Sequence, residues 1–192
     1  KNIYKRNNIE NNIYIKLKNG YIHSVGYTYD DKLWGWGDNS RGQLGNNSIV
    51  QSALPVYVVD SNGTGRLSGV TMLSGGGLSA YALKSDGTVW AWGDNGSGQL
   101  GDNTTTKKYT PVQVKDSAGT GFLSNIIDIA ASGANTVFAL QSDGTVWSWG
   151  AGASGQLGDG TTVTSRKLPA KVKDPSGTGF LSNVVSIAGG HG

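Results

Sequence analysis

The chain contains no cysteine, which excludes a disulfide scaffold, a zinc site built on thiolates and a thiol nucleophile. It has two histidines and four prolines in 192 residues. No apolar run approaches the roughly 20 residues that a membrane span requires, so no span is predicted. The first residue is Lys1 rather than methionine, and no signal-like apolar stretch follows it, so we expect a processed or excised piece of a longer protein.

An excess of charge of one sign is also missing. The net charge is +3, and the basic residues are scattered apart from those in residues 1–6. A nucleic-acid-binding protein usually concentrates its basic residues on one face. No nucleic-acid partner is therefore expected.

Glycine, by contrast, is abundant. The 31 glycines are about twice the usual share, and they do not follow the three-residue period of collagen. Glycine supplies the backbone conformations that tight turns require. The composition therefore predicts an all-β fold with many turns and little helix.

An internal repeat organises the chain. A segment of the form W-x-W-G followed by G-Q-L-G occurs at 33–45, 89–101 and 146–158. Residues 13–37 align without a gap on residues 126–150, so the first copy is degenerate but complete. We predict the following organisation: an N-terminal extension at 1–12, repeat units at 13–69, 70–125 and 126–183, and the first strand of a fourth unit at 184–192.

Each unit contains four short β runs separated by turn signals, which is the pattern of a propeller blade. The run before G-Q-L-G carries the tryptophans, and Pro55, Pro111 and Pro169 are each expected to open the last run of a unit. Alternation along the tryptophan strand places Trp90 and Trp92 on one face and Val89 and Ala91 on the other. Both faces are apolar, so adjacent blades must stack.

The six tryptophans occupy the same two positions of the unit, and this favours packing between blades over a stacking surface for sugars or single-stranded nucleic acid. We take them as the structural signature of the repeat. They are Trp34, Trp36, Trp90, Trp92, Trp147 and Trp149.

Residues 87–101, GTVWAWGDNGSGQLG, match every position of the pattern G-x-V-x-x-W-G-x-N-x-x-G-Q-L-G. At these residues the sequence resembles the repeat family named after the regulator of chromosome condensation, and the resemblance extends over residues 13–192. It implies a β-propeller, commonly of seven blades. Since this chain holds about three units, we expect an arc or fragment of a larger propeller.

The resemblance implies use of the ring as a binding platform. Family members include a nucleotide exchange factor for a nuclear GTPase, ubiquitin-ligase and scaffold modules, and a secreted inhibitor of β-lactamases. The long G-T-G-F-L-S turn resembles repeats of large bacterial surface and secreted proteins, so an extracellular or cell-surface location is expected. Fold alone does not fix the function.

The residues give little support for catalysis or for a cofactor. Residues 150–155 satisfy G-x-G-x-x-G, but the dinucleotide motif needs a following helix, which is not predicted here. The two histidines are His23, in the degenerate unit, and His191, which is expected to be structural. Aspartates and asparagines beside the glycines are typical of turns closed by their own side chains, with a calcium loop as the alternative. They are Asp38, Asn39, Asp94, Asn95, Asp102 and Asp159.

Specificity is expected where the copies differ. Arg41 aligns with Ser97 and Ser154, and Arg66 aligns with Phe122 and Phe180. We interpret these six positions as candidate partner contacts. The function that we favour is a non-enzymatic module that binds a protein partner or further copies of itself, in a larger chain or a homo-oligomer. The alternative is a propeller regulator of an enzyme or GTPase, acting as exchange factor or inhibitor.

Overall fold

The structure, a computed structural model, describes residues 14–190. This part of the chain forms twelve β-strands in three four-stranded antiparallel sheets, and no helix occurs in it. The predicted all-β fold of propeller blades is therefore confirmed. Within the same residues no helix is long and apolar enough to cross a membrane.

The three sheets follow one another along the chain, and we call them blades 1, 2 and 3. Blade 1 contains β1 (Tyr14–Asn19), β2 (His23–Thr28), β3 (Leu33–Gly37) and β4 (Ser52–Tyr57). Blade 2 contains β5 (Val70–Gly76), β6 (Ser79–Lys84), β7 (Val89–Gly93) and β8 (Lys108–Gln113). Blade 3 contains β9 (Ile126–Ala131), β10 (Thr136–Gln141), β11 (Val146–Ala151) and β12 (Ser165–Lys171).

Each face of the middle blade packs on a different neighbour. Trp92, fully buried on β7, belongs to the core between blades 1 and 2. Val89 and Ala91, also fully buried, belong to the core between blades 2 and 3. The two-residue alternation of the strand therefore assigns its side chains to two separate cores.

The outer strands begin earlier than the prolines predict. Pro55, Pro111 and Pro169 lie inside β4, β8 and β12 rather than at their starts. In all three blades the register shifts just beside the proline, between the pairs that flank it. A proline has no N–H to donate, and at a bulge of an outer strand no ladder bond is lost, so the strand continues through it.

Of the first strands of the blades, β5 contacts both β1 and β9 along the inner side of the molecule. Gly75 and Gly76 permit this approach, because a Cβ on either would lie 2.6–2.7 Å from atoms of blade 1 or blade 3. The Ser74 hydroxyl accepts a hydrogen bond from the Ala131 N–H at 2.9 Å. These contacts fix how closely two blades approach.

The first strand of a fourth unit was expected at 184–192, of which 191–192 lie outside the described residues. Residues 184–190 lie beside β9 on the same inner side. The Val184 N–H donates to Gly144 O at 3.1 Å, and Ile187 and Gly189 border the space beside Ala130 and Ala131. The segment carries no strand ladder, because no antiparallel neighbour exists for it among the described residues.

Candidate protein-interaction surface

A buried asparagine organises the loop that follows each of the first two tryptophan strands. In blade 2, the Asn95 side-chain nitrogen lies within hydrogen-bond distance of Asp102 Oδ1, Thr104 O and Thr106 O, at 3.1–3.2 Å. Its oxygen accepts from the Leu100 N–H at 2.9 Å. Asn39 repeats this arrangement in blade 1. The side chain therefore replaces the hydrogen bonds that the turning backbone cannot make with itself.

The glutamine of G-Q-L-G is the second fixed point of this loop, residues 94–101 in blade 2. Gln99 Oε1 accepts from the Ser97 N–H at 2.8 Å, and its Nε2 donates to Asp94 Oδ2 at 2.9 Å. Its backbone carbonyl accepts from the Trp149 indole of the next blade at 2.8 Å. In blade 1 the Gln43 carbonyl accepts from Trp92 at 2.9 Å in the same way. The loop of one blade thus holds the tryptophan of the next.

The third copy has lost part of this network. Ala151 and Gly152 stand where blade 2 has Asp94 and Asn95. A Cβ on Gly152 would lie 2.5–2.6 Å from Leu157 and Val163, so no asparagine fits there. Gln156 keeps its bond from the Ser154 N–H at 2.9 Å, but its side chain is exposed.

Two aspartates after the loops form ion pairs. Asp102 pairs with Lys108 at 3.2 Å, and Asp159 pairs with Arg166 at 2.5 Å. Burial opposes ionisation of Asp102, but hydrogen bonds from Thr104 and Lys108 outweigh it and hold the pKa of Asp102 below its usual value. Both carboxylates therefore bind neighbouring groups of the fold: each forms an ion pair and accepts a hydrogen bond from a backbone N–H of its own turn. No group of three or more His, Asp and Glu side chains suited to a metal ion occurs within 14–190.

His23 and the glycine motif also have a place in the fold. His23 is 3% exposed and stands where the other blades have Ser79 and Thr136, and His191 lies outside the described residues. Burial lowers the pKa of His23 to about 4, although Asp38 nearby acts in the opposite direction. The G-x-G-x-x-G stretch at 150–155 is followed by turns and strand β12 instead of the helix that a dinucleotide site requires.

The predicted contact positions of the glutamine loop differ in exposure. Arg41 and Ser154 are exposed, whereas Ser97 is half-buried. Arg41 and Ser97 each precede a glycine that packs on the next blade: a Cβ on Gly42 would lie 2.5 Å from Tyr109 Cδ1, and a Cβ on Gly98 would lie 2.8 Å from Lys167 Cα. Ser97 therefore lies at the edge of a blade interface.

Arg66, Phe122 and Phe180 occupy one equivalent place in each blade, and we call these three residues the loop row. Each closes a hairpin loop through a single antiparallel bridge, to Val59, Lys115 and Lys173 respectively. Phe122 is 53% exposed and Phe180 is 49% exposed, and Arg66 is also exposed. The structure thus presents aromatic and basic side chains at regular intervals.

The surroundings of the loop row were not predicted from the sequence. In blade 1 the Arg66 guanidinium lies 3.5 Å from the centre of the Tyr57 ring, which stacks on Trp34 with ring centres 3.9 Å apart. In blade 3, Lys173 Nζ lies 4.6 Å from the centre of the Phe180 ring, and Lys171 Nζ lies 5.2 Å from that of Trp147. A sequence signal for these contacts exists in the strand pairing. The first tryptophan of the strand lies opposite Tyr57 in blade 1 and opposite Lys171 in blade 3.

Three similar antiparallel sheets that stack through their faces, with the loop of one holding the tryptophan of the next, define a protein of β-propeller blades. The model of the "Regulator of chromosome condensation (RCC1) repeat" family matches residues 30–83, 86–140 and 143–192. The chain belongs to this family. A second model of the same repeat matches 71–99 and 126–156.

Known relatives are longer than this chain. It is 32% identical over 160 residues to human "Probable E3 ubiquitin-protein ligase HERC4", covering 83% of this chain and 14% of HERC4. Among solved structures, human WBSCR16 is similar with a TM-score of 0.71 at 20% identity, over 88% of this chain and 40% of that one. Prp20p of Saccharomyces cerevisiae, reported with its binding to Gsp1p and histones, has a TM-score of 0.71 at 19% identity, over 85% and 39%. The structural likeness shows the fold alone.

Proposed function

We propose that the chain is a non-enzymatic module that binds other proteins, or copies of itself, through its hairpin loops and blade faces. The loop row carries this proposal. Its three members hold one place in three successive blades, yet they present a guanidinium in blade 1 and phenyl rings in blades 2 and 3. A position that is fixed in the fold and varied in chemistry suits recognition better than stability.

The chemistry of the row supports a protein partner. Aromatic side chains and arginine are enriched in protein interfaces and provide most of their binding hot spots. Here Phe122 and Phe180 expose about half of their surface, with lysines beside the rings. A backbone bridge closes each of the hairpin loops that carry these side chains. Holding a side chain in place before binding lowers the entropy cost of binding.

The test compares the wild-type chain with the triple variant R66A/F122A/F180A as immobilised bait in an extract of the source organism. We expect proteins that bind the wild type to bind the triple variant at least about tenfold more weakly, because hot-spot truncations cost more than 1 kcal/mol each. A variant at an exposed apolar residue away from the row, Tyr29→Ala, is the matched control. Identical sets of captured proteins for all three baits would contradict the proposal.

We also propose an extracellular or cell-surface location, which the resemblance of the G-T-G-F-L-S turn to repeats of bacterial surface and secreted proteins supports. Labelling of intact cells with a membrane-impermeant amine reagent tests this location. Modification of the lysines in intact cells is expected. Labelling that appears only after lysis would overturn it.

A second candidate is a regulator of a GTPase or an enzyme, which the fold shared with Prp20p favours, given that protein's binding to Gsp1p. Release of a labelled nucleotide from a purified small GTPase, with and without the chain, separates the two candidates. Accelerated release supports the regulator, and an unchanged rate supports the binding module.

A further inference from the structure

The two interfaces between blades are built from one repeated set of contacts. At the loop, the indole of the following blade covers a glycine: Trp92 Nε1 would lie 2.8 Å from a Cβ on Gly45, and Trp149 Nε1 would lie 3.0 Å from one on Gly101. Both glycines have positive φ. The tryptophan of the next blade therefore packs directly on these glycines.

The outer strand of the following blade adds a hydrogen bond. The Asn47 N–H donates to Tyr109 O at 2.9 Å, and the Asn103 N–H donates to Lys167 O at 3.1 Å. Tyr109 and Lys167 occupy equivalent positions of β8 and β12, two residues before the proline. Each blade thus offers a backbone donor to the outer strand of its neighbour.

The residue that follows in the outer strand covers a second glycine, in the hairpin loop. Thr110 Cγ2 lies 3.6 Å from a Cβ position on Gly63, and Leu168 Cδ1 lies 3.1 Å from one on Gly119. Leu168 makes the closer contact. A leucine at this position is therefore compatible with the blade interface.

Blade 3 repeats the receiving positions, and no other blade of the described residues covers them. Gly158 corresponds to Gly101, Gly160 to Asn103 and Gly177 to Gly119, and all three border an open groove of about 700 Å³. A Cβ on Gly177 would meet no atom of residues 14–190 within 4 Å. Among residues 14–190, the Gly160 N–H has no backbone acceptor, whereas Asn103 has one.

Blade 1 carries the complementary edge. Ala53 and Leu54 of β4 stand at the positions of Lys167 and Leu168. Leu54 is 74% exposed, and Val50 beside the strand is 69% exposed. An exposed leucine on one end of the molecule thus matches an uncovered glycine on the other.

We propose that the groove on blade 3 binds strand β4 of blade 1 of a second copy of the chain, head to tail. This inference rests on the self-assembly named in the proposed function and assigns its surface. Gly160 N–H would donate to the partner's Ala53 carbonyl, and the partner's Leu54 would cover Gly177. The two sides of the contact differ, so each copy keeps one further groove and one further strand, and assembly proceeds to a ring or a filament.

The test uses two variants that block opposite ends of the full chain. Leu54→Asp places a charge on the strand, and Thr162→Arg fills the groove from an exposed residue that borders it. We expect wild type to grow in mass with concentration in sedimentation velocity, and each variant alone to remain monomeric, with association at least about tenfold weaker. An equimolar mixture of the variants should form dimers and nothing larger, since one intact groove meets one intact strand.

Tyr29→Asp, which charges an exposed apolar residue of blade 1 outside β4, is the matched control and should assemble as wild type does. A wild-type chain that stays monomeric throughout the micromolar range, or a mixture of the two variants that does not dimerise, overturns the proposal. The triple variant R66A/F122A/F180A should assemble normally, so a failure of partner binding by the loop row and a failure of this interface give different results.

Discussion

Asn95 shows at the scale of one residue how the loop is held. Its side chain is fully buried and joins the start of the loop to Asp102, Thr104 and Thr106. Asn95→Ala removes these bonds and leaves buried backbone groups without partners, so we expect a loss of about 3 kcal/mol in the free energy of unfolding. Urea titration followed by tryptophan fluorescence measures it.

Asn62→Ala, at an exposed asparagine in a hairpin loop, provides the comparison. Surface substitutions of this kind change stability by less than about 0.5 kcal/mol. Equal unfolding midpoints for the two variants would show that the Asn95 network does not stabilise the loop.

We expect His23 to make the free energy of unfolding depend on pH. Its pKa is about 4 in the folded chain, below the usual 6.5, because burial disfavours the imidazolium. The unfolded chain therefore binds more protons between these values, so stability is full above pH 6.5 and falls as the pH is lowered towards 4. The loss from this group approaches roughly 3 kcal/mol, at 1.36 kcal/mol per unit of pKa shift.

His23→Thr is the matched variant, because Thr136 at this position of blade 3 donates to Ala151 O at 2.9 Å. Neither ring nitrogen of His23 has a hydrogen-bond partner among the described residues, so the threonine should also stabilise the chain. Chemical denaturation at several pH values measures both effects. The same dependence on pH between 4 and 6.5 in wild type and variant would rule out His23 as its source.

Alanine substitutions at two glycines with the same backbone conformation distinguish the cost of a lost contact between blades from the cost of backbone strain. Gly101 has φ +65° and Gly158 has φ +63°, so alanine costs about 1–2 kcal/mol at either. At both positions the new Cβ would meet a valine of the same blade, Val114 at 2.8 Å and Val172 at 3.1 Å. At Gly101 it would also meet the Trp149 indole, which adds about 1–3 kcal/mol. We therefore expect Gly101→Ala to lower the unfolding midpoint clearly more than Gly158→Ala. Equal unfolding midpoints would mean that the Trp149 indole moves aside without a cost in free energy.

The elements were largely predictable from the sequence. The tryptophan strand and the hairpin turns have strong local signals, and the repeat supplies them three times. The starts of β4, β8 and β12 were not predicted, because the bulge that accommodates each proline is a property of pairing with the neighbouring strand. The local sequence around a proline shows the missing donor but not where the register shifts.

The candidate contacts were predictable as positions but not as surfaces. Comparison of the copies identifies Arg41 with Ser97, and Arg66 with Phe122, as places of difference. Their exposure is a property of the folded chain: Ser97 is half-buried, whereas Arg41 and Ser154 are exposed. Partner binding at these positions stays a prediction. The role of His23 was within reach of the sequence, since alignment of the copies places it opposite Ser79 and Thr136.

For the whole molecule, the middle blade should be the most stable part. Strands β6 and β7 of blade 2 pack on both neighbours, and their side chains are almost all buried. We expect their backbone amides to exchange with deuterium most slowly, and those of the exposed outer strand β12 to exchange much faster. Mass-spectrometric exchange of the purified chain measures this order. Equal protection of β7 and β12 would indicate that the blades open as one unit.

The family repeat and the sheets are out of phase. The repeat at 30–83 contains β3 and β4 of blade 1 and then β5 and most of β6 of blade 2. The covalent chain therefore links neighbouring blades within each repeat. This offset makes the contacts between blades as regular as the repeat itself.

The indole of Trp92 or Trp149 reaches a backbone carbonyl, not the glutamine side chain. A main-chain acceptor is present whatever residue occupies the position. A gene duplication that inserts one more repeat therefore creates a blade whose tryptophan finds an acceptor at once, with no compensating mutation in its neighbour. Chains of this design are free to change their number of blades in single evolutionary steps.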